Sequence, residues 1–136
     1  MTPVRVHLTS TIQQDGQSER FDFAEKGTFV ELNGKYYLRY IEHQGNQATP
    51  VQFRLDDQVH LHRAGDVQTR LNFDSMAPTD TRYRTDYGII RLMVKTARLD
   101  KKIDPAIPAG RMIVEYTLST KEQIVGTYYL QLQFTV

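Results

Sequence analysis

Arg63 ends an alternating run, Val59-His-Leu-His-Arg63, in phase with Val59 and Leu61. If those apolar side chains face an interior, the guanidinium does too, near the end of its strand. A fixed guanidinium at the mouth of a barrel can grip a carboxylate or phosphate through two parallel N–H···O bonds. The other reading pairs Arg63 with an interior carboxylate, as buried charges require, or turns it to solvent at Ala64-Gly65. Tyr83, Tyr87, Tyr116 and Tyr128 could line the same cavity, each an apolar ring with one hydroxyl. Such a lining suits a planar or amphipathic ligand. Tyr83 and Tyr87 lie four apart and share one face of any strand that holds both. Plain core packing, with the hydroxyls reaching the rim, competes with that reading. The candidate ligand-binding residues are thus Arg63, Tyr83, Tyr87, Tyr116 and Tyr128.

Other combinations carry less. His60 and His62 form His-x-His, which puts both imidazoles on one strand face and could begin a zinc site. No third ligand is signalled, and Val59 and Leu61 claim the inner face, so the histidines are expected on a solvated outer face with no metal. Arg82, Tyr83 and Arg84 make a basic-aromatic patch of the kind that stacks on a nucleic-acid strand. Asp80 and Asp86 flank it and cancel its charge, as Asp100 and Asp104 do for Lys101-Lys102. Nucleic acid is therefore not the expected partner. No serine sits in a nucleophile-elbow context, and neither a P-loop nor Gly-x-Gly-x-x-Gly occurs. The expectation is a non-enzyme without a cofactor.

The elements that position these residues read as strands. Val4, Val6, Leu8 and Ile12 alternate with polar residues, the period of a half-buried strand. Asp15-Gly16 turns the chain, in a loop read as longer than a minimal hairpin. Arg20 to Leu32 follows with Phe21, Phe23 and Phe29 in one phase, and Gly27 marks a bulge, a sharp bend or a split into two strands. Asn33-Gly34 is the strongest two-residue hairpin signal in the chain. Lys35 to His43 returns, Thr49 to Leu55 begins with Pro50, and Val59 to Arg63 leads to a turn at Ala64-Gly65-Asp66. Val67, Thr69, Leu71 and Phe73 alternate next. Thr79 to Gly88 runs into the long strand Ile89 to Leu99, expected at the centre of the sheet. Asp100 to Gly110, with Pro105 and Pro108, reads as the longest irregular connection. Met112 to Leu118 and Tyr128 to Val136 close the chain.

That makes eight to ten strands, joined mostly by short turns in one domain over residues 1–136. The spacing indicates an all-β protein, and consecutive hairpins favour a single antiparallel up-and-down barrel, which leaves no open edges. With 136 residues, a domain can bury roughly 68–70% of its unfolded surface without disulfides, and there are no cysteines to form them. The net charge of +1 is too small to drive binding to nucleic acid or an anionic membrane by bulk electrostatics. No signal-peptide run or membrane helix is present, so a cytoplasmic location away from membranes is expected.

The pieces Val4-x-Val-x-Leu8, Tyr36-Tyr-Leu-x-Tyr40, Arg63-x-Gly65, Leu71-x-Phe73, Thr81-x-Tyr-x-Thr-x-Tyr-Gly88 and Val125-Gly-x-Tyr-x-Leu130 stand in an order that resembles the YwiB-like family. Asp86 occupies a position where members of that family often have proline. The resemblance implies a calycin-like (lipocalin-like) β-barrel and assigns no activity. Two functions fit such a barrel. One is binding of a small amphipathic or anionic ligand inside it. The other is a filled barrel acting through an outer face or a homodimer, where Ile89 to Met93 and Ile113 to Thr117 carry apolar residues in both phases.

Overall fold

Ten strands account for most of the chain: β1 Thr2–Gln14, β2 Gln17–Leu32, β3 Lys35–Gln44, β4 Gln47–Leu55, β5 Val59–Ala64, β6 Gln68–Phe73, β7 Thr79–Thr85, β8 Gly88–Asp104, β9 Ala109–Ser119 and β10 Ile124–Thr135. The computed structural model describes residues 1–65, 68–85 and 87–136. Asp66, Val67 and Asp86, which figure in the turns and alternation above, lie outside the described residues. Among the described residues all pairings are antiparallel, and the order β6-β5-β4-β3-β2-β1-β10-β9-β8-β7 joins each strand to its sequence neighbour except β6 to β7, which stand at its two ends, with β1 against β10. This is the expected up-and-down barrel, nearly closed, with ten strands.

Turn chemistry sets the hairpins. Asn33 and Gly34 both take positive φ, 55° and 77°, as a two-residue turn between twisted strands requires. Asp15 and Gly16 do the same at 50° and 74°, and Gln14 pairs with Gln17. That loop is a minimal hairpin, shorter than the sequence reading gave it, because aspartate tolerates the left-handed region well enough to stand where Asn33 does.

Two expectations about the second half are corrected. The stretch from Thr79 to Leu99 is not central: β7 ends the sheet order and β8 lies next to it, while β1 and β10 hold the middle. The segment Asp100 to Gly110 is also not an irregular connection. β8 runs to Asp104 and β9 starts at Ala109. A register shift between Thr96 and Arg98 reverses the phase, so Leu99 and Ile103 resume the inward side.

Inward residues fill the barrel. Leu8, Leu38, Phe53, Val59, Phe73, Val114 and Leu132 are fully buried. Gly27 is where the pairing of β2 with β3 ends, while β2 itself runs on as one strand. A Cβ there would lie 2.6 Å from the Arg39 carbonyl oxygen and 2.9 Å from the Tyr40 Cβ. Only glycine lets the two strands come this close.

Candidate functional site

The described interior polar groups gather at one end of the barrel, the end that carries the turns at Gly16, Gly45, Gly65 and Gly88. Alternation brings them there. Leu38, Tyr40 and Glu42 take the inner side of β3, and Val59, Leu61 and Arg63 that of β5. Arg63 therefore points inward, and it meets a carboxylate. Its Nε donates to Glu42 Oε1 at 3.1 Å and its Nη2 to Glu42 Oε2 at 3.4 Å. The Tyr40 hydroxyl donates to the same Oε2 at 2.6 Å. Glu42 is buried, whereas the Arg63 side chain keeps 24% of its exposure and reaches the mouth.

The charges here hold one another. Burial alone would push the Arg63 guanidinium toward losing its proton, and the Glu42 carboxylate more than offsets that, so its pKa stands above the ordinary value. Burial, followed by the Glu42 charge, drives the Tyr40 hydroxyl strongly upward, so it stays a donor. The pair as a whole is neutral and offers both a donor and an acceptor.

Tyrosines surround it. Tyr116 and Tyr128 stack at 4.8 Å between centroids with 6° between planes, and Tyr116 packs on Phe73 at 4.7 Å. Burial raises the pKa of Tyr116, against the pull of Arg63. Burial and the neighbouring Tyr128 raise that of Tyr83, against the pull of Arg63. The structure thus gathers Arg63, Tyr83, Tyr116 and Tyr128 at one mouth. Tyr87 stays apart: it is fully exposed on the β7–β8 turn, because the strand ends at Thr85 and the four-residue spacing from Tyr83 no longer fixes a face. Thr96, opposite Tyr116 in the β8–β9 register, is buried, and its hydroxyl has no hydrogen-bond partner.

Glu42, Tyr40 and Thr96 were missed from the sequence. The signal for the first two was present: Leu38-x-Tyr40-x-Glu42 holds a single phase, so an inward Leu38 implies an inward carboxylate. Leu92-x-Val94-x-Thr96 carried the same signal, because all three share one phase ahead of the bulge.

Outside the barrel, His60 and His62 face outward on β5, yet His60 is not solvated. Its Nε2 accepts from Arg54 Nη2 at 2.9 Å, and its Nδ1 lies 2.5 Å from Asn72 Oδ1, a cross-strand row. Among the described residues, no three His, Asp or Glu side chains gather as a metal site needs. Arg82 and Arg84 stand on β7 near its turn.

Comparison with known proteins follows this geometry. Residues 6–132 match the family described as a domain of unknown function, DUF1934. The chain is 25% identical over 123 residues to the uncharacterized β-barrel protein YwiB of Bacillus subtilis (strain 168), covering 90% of this chain and 85% of that protein. It also superimposes on the crystal structure of the ywiB protein from Bacillus subtilis with a TM-score of 0.82 and 22% identity, over 98% of this chain and 91% of the other. That likeness shows the same barrel. Among the described residues, no helix is long and apolar enough to cross a membrane.

Proposed function

The chain belongs to the DUF1934 family, and from that premise we propose that it is a small-molecule binding barrel whose ligand sits at the tyrosine-lined mouth. The carrying observation is convergence: Arg63 from β5, Tyr83 from β7, Tyr116 from β9 and Tyr128 from β10 meet around one buried ion pair. The filled core below limits the ligand to the upper layer. A planar, amphipathic molecule fits best, its apolar face on the tyrosine stack and its polar end on the donor–acceptor pair of Arg63 and Glu42. Because Glu42 neutralises Arg63, a neutral polar end is favoured over a bare anion. The Thr96 hydroxyl, buried without a partner, supports the reading, since such a group is normally met by water or a ligand.

The test is native mass spectrometry on protein purified gently from its own cells. A reproducible added mass, lost on denaturation and lost in Tyr83→Phe or Arg63→Met protein that still folds, supports the mouth site. A bare mass, with no change in tyrosine fluorescence across a panel of planar metabolites, removes it. Interaction through an outer face is the second reading. It is favoured by Ile89, which is 64% exposed on β8 beside the half-exposed Ile90 and Met93.

A further inference from the structure

A groove of about 1470 Å³ lies on the outside of the barrel, and Tyr40, whose hydroxyl joins the ion pair at the mouth, forms part of its lining. Its walls are outward side chains of two blocks of strands. Arg5 and His7 of β1 and Lys26 of β2 stand on one wall, with Lys102 and Arg111 from the β8–β9 hairpin. Arg39 and Ile41 of β3, with Pro50 and Gln52 of β4, stand on the other. The floor is Gly27, where the β2–β3 pairing ends.

Two properties of this cleft are unusual for the outside of a barrel. The first is an unpaired edge. The β2–β3 register runs from Leu32↔Lys35 only as far as Gly27↔Tyr40. Beyond it, Gln17 to Lys26 pairs with β1 on one side and, among the described residues, with no strand on the other. At about 3.3 Å per residue that edge is roughly 33 Å long. The second is charge. Arg5, Lys26, Arg39, Lys102 and Arg111 line the groove against two carboxylates, Glu25 and Asp104, a formal +3 in a chain whose total is +1.

The cleft also shows what chemistry it accepts. Glu25 reaches across the gap, and its Oε2 takes a hydrogen bond from the His43 backbone N–H at 2.6 Å, with the His43 ring 3.1 Å from Oε1. A carboxylate already sits where the ladder has stopped.

We infer that this cleft binds an extended, acidic stretch of polypeptide, which adds as a strand along the free edge of β2 and, where that edge enters the groove at residues 24–26, sets its carboxylates against the groove cations. Backbone hydrogen bonds along a strand edge give such binding its affinity, and alternate side chains give it selectivity. Glu25 acts as the internal occupant that an incoming carboxylate displaces. A single-stranded nucleic acid fits less well, because the groove's larger rings, Tyr40 and Phe134, are 5% and 4% exposed and leave only imidazoles to stack on.

The probe is a fluorescein-labelled peptide of about ten residues alternating Glu and Val, matched in length to the edge. Binding should weaken with salt, shift the amide resonances of residues 18–26 and 41–43, and fall at least about tenfold in Lys26→Glu/Arg39→Glu protein. Glu25→Ala should tighten it about threefold by removing the competitor. The same peptide N-methylated at alternate residues keeps its charges and loses its edge donors, and it should bind at least about tenfold more weakly. Equal binding of the N-methylated peptide overturns strand addition. Unchanged binding in the charge-reversed variant overturns the groove, and an oligo-dT strand that binds more tightly than the peptide overturns the partner class.

Discussion

Between β6 and β7, threonine hydroxyls replace a strand ladder, whereas between β2 and β3 the ladder stops at Gly27 and one carboxylate answers what lies beyond. At the first boundary the Thr79 hydroxyl donates to the Asn72 carbonyl at 2.5 Å, and the buried Thr81 donates to the Arg70 carbonyl. These are neutral, short-range bonds on side chains with little entropy to lose, and they close the barrel without charge. At the second boundary Glu25 supplies charge to the His43 amide across a gap open to solvent. A charged closure of that kind can be exchanged for another carboxylate, and a neutral suture cannot. The two boundaries show how one sheet can be sealed on one side and left addressable on the other.

The largest effect should come from replacing the glycine at which the cleft opens. Gly27→Ala drives a Cβ into the backbone of Arg39, which cannot move aside as a flexible side chain could. We expect a loss of about 3 kcal/mol in urea unfolding, at the upper end of overpacking costs. A loss under about 1 kcal/mol would mean that β2 can take another path and that the cleft is not built into the sequence.

Next comes the bridge behind the cleft, where Glu42 of β3 ties to Arg63 of β5. Glu42→Gln leaves a guanidinium without its anion. Breaking a fully buried pair costs about 3 kcal/mol or more, and roughly 2 kcal/mol is expected here because part of Arg63 meets water. Replacing both partners, Glu42→Leu with Arg63→Met, should recover most of that loss. If the double variant is as unstable as the single one, the network holds the mouth by more than charge.

The neutral suture should cost less. Thr81→Val keeps the shape and removes the donor to Arg70, and we expect about 1 kcal/mol, with faster hydrogen exchange confined to β6 and β7. Exchange that also quickens at residues 41–43 would show that the two boundaries are coupled.

Strand positions were legible in the sequence because burial on one side leaves a period of two. Val4 to Leu8, Met112 to Leu118 and Leu130 to Phe134 read correctly on that ground, and so did the inward phase of Arg63. What could not be read is where the period breaks. The shift after Thr96 hides inside a run of ordinary strand residues, and the prolines at 105 and 108 suggested a loop where a short turn suffices. The cleft was invisible for a different reason. It depends on β2 parting from β3 while remaining a regular strand, and alternation along one strand says nothing about whether its far edge is paired. Gly27 was the one local mark, read as a bulge, a bend or a split and silent on the unpaired edge beyond it.

The smallest effect belongs to the free edge itself. Asp22 stands on β2 beyond Gly27, and its Oδ1 accepts from the Thr9 hydroxyl at 2.8 Å, with Arg20 alongside. The Thr9 bond, followed by those from Arg20, holds its carboxyl below the ordinary value of 3.8. A pKa depressed by folding contributes stability that is whole above the unfolded value and is lost as the pH falls through the folded one. Because Asp22 is solvent-exposed, the change should be local. As the pH drops below 3.8, side-chain and amide resonances of residues 18–24 should move before those of β6 do. β6, which supplies the carbonyls of the suture, contains no carboxylate to protonate. If both boundaries shift together, acid acts on the barrel as a whole, and the contrast between a titratable edge and a neutral seam fails.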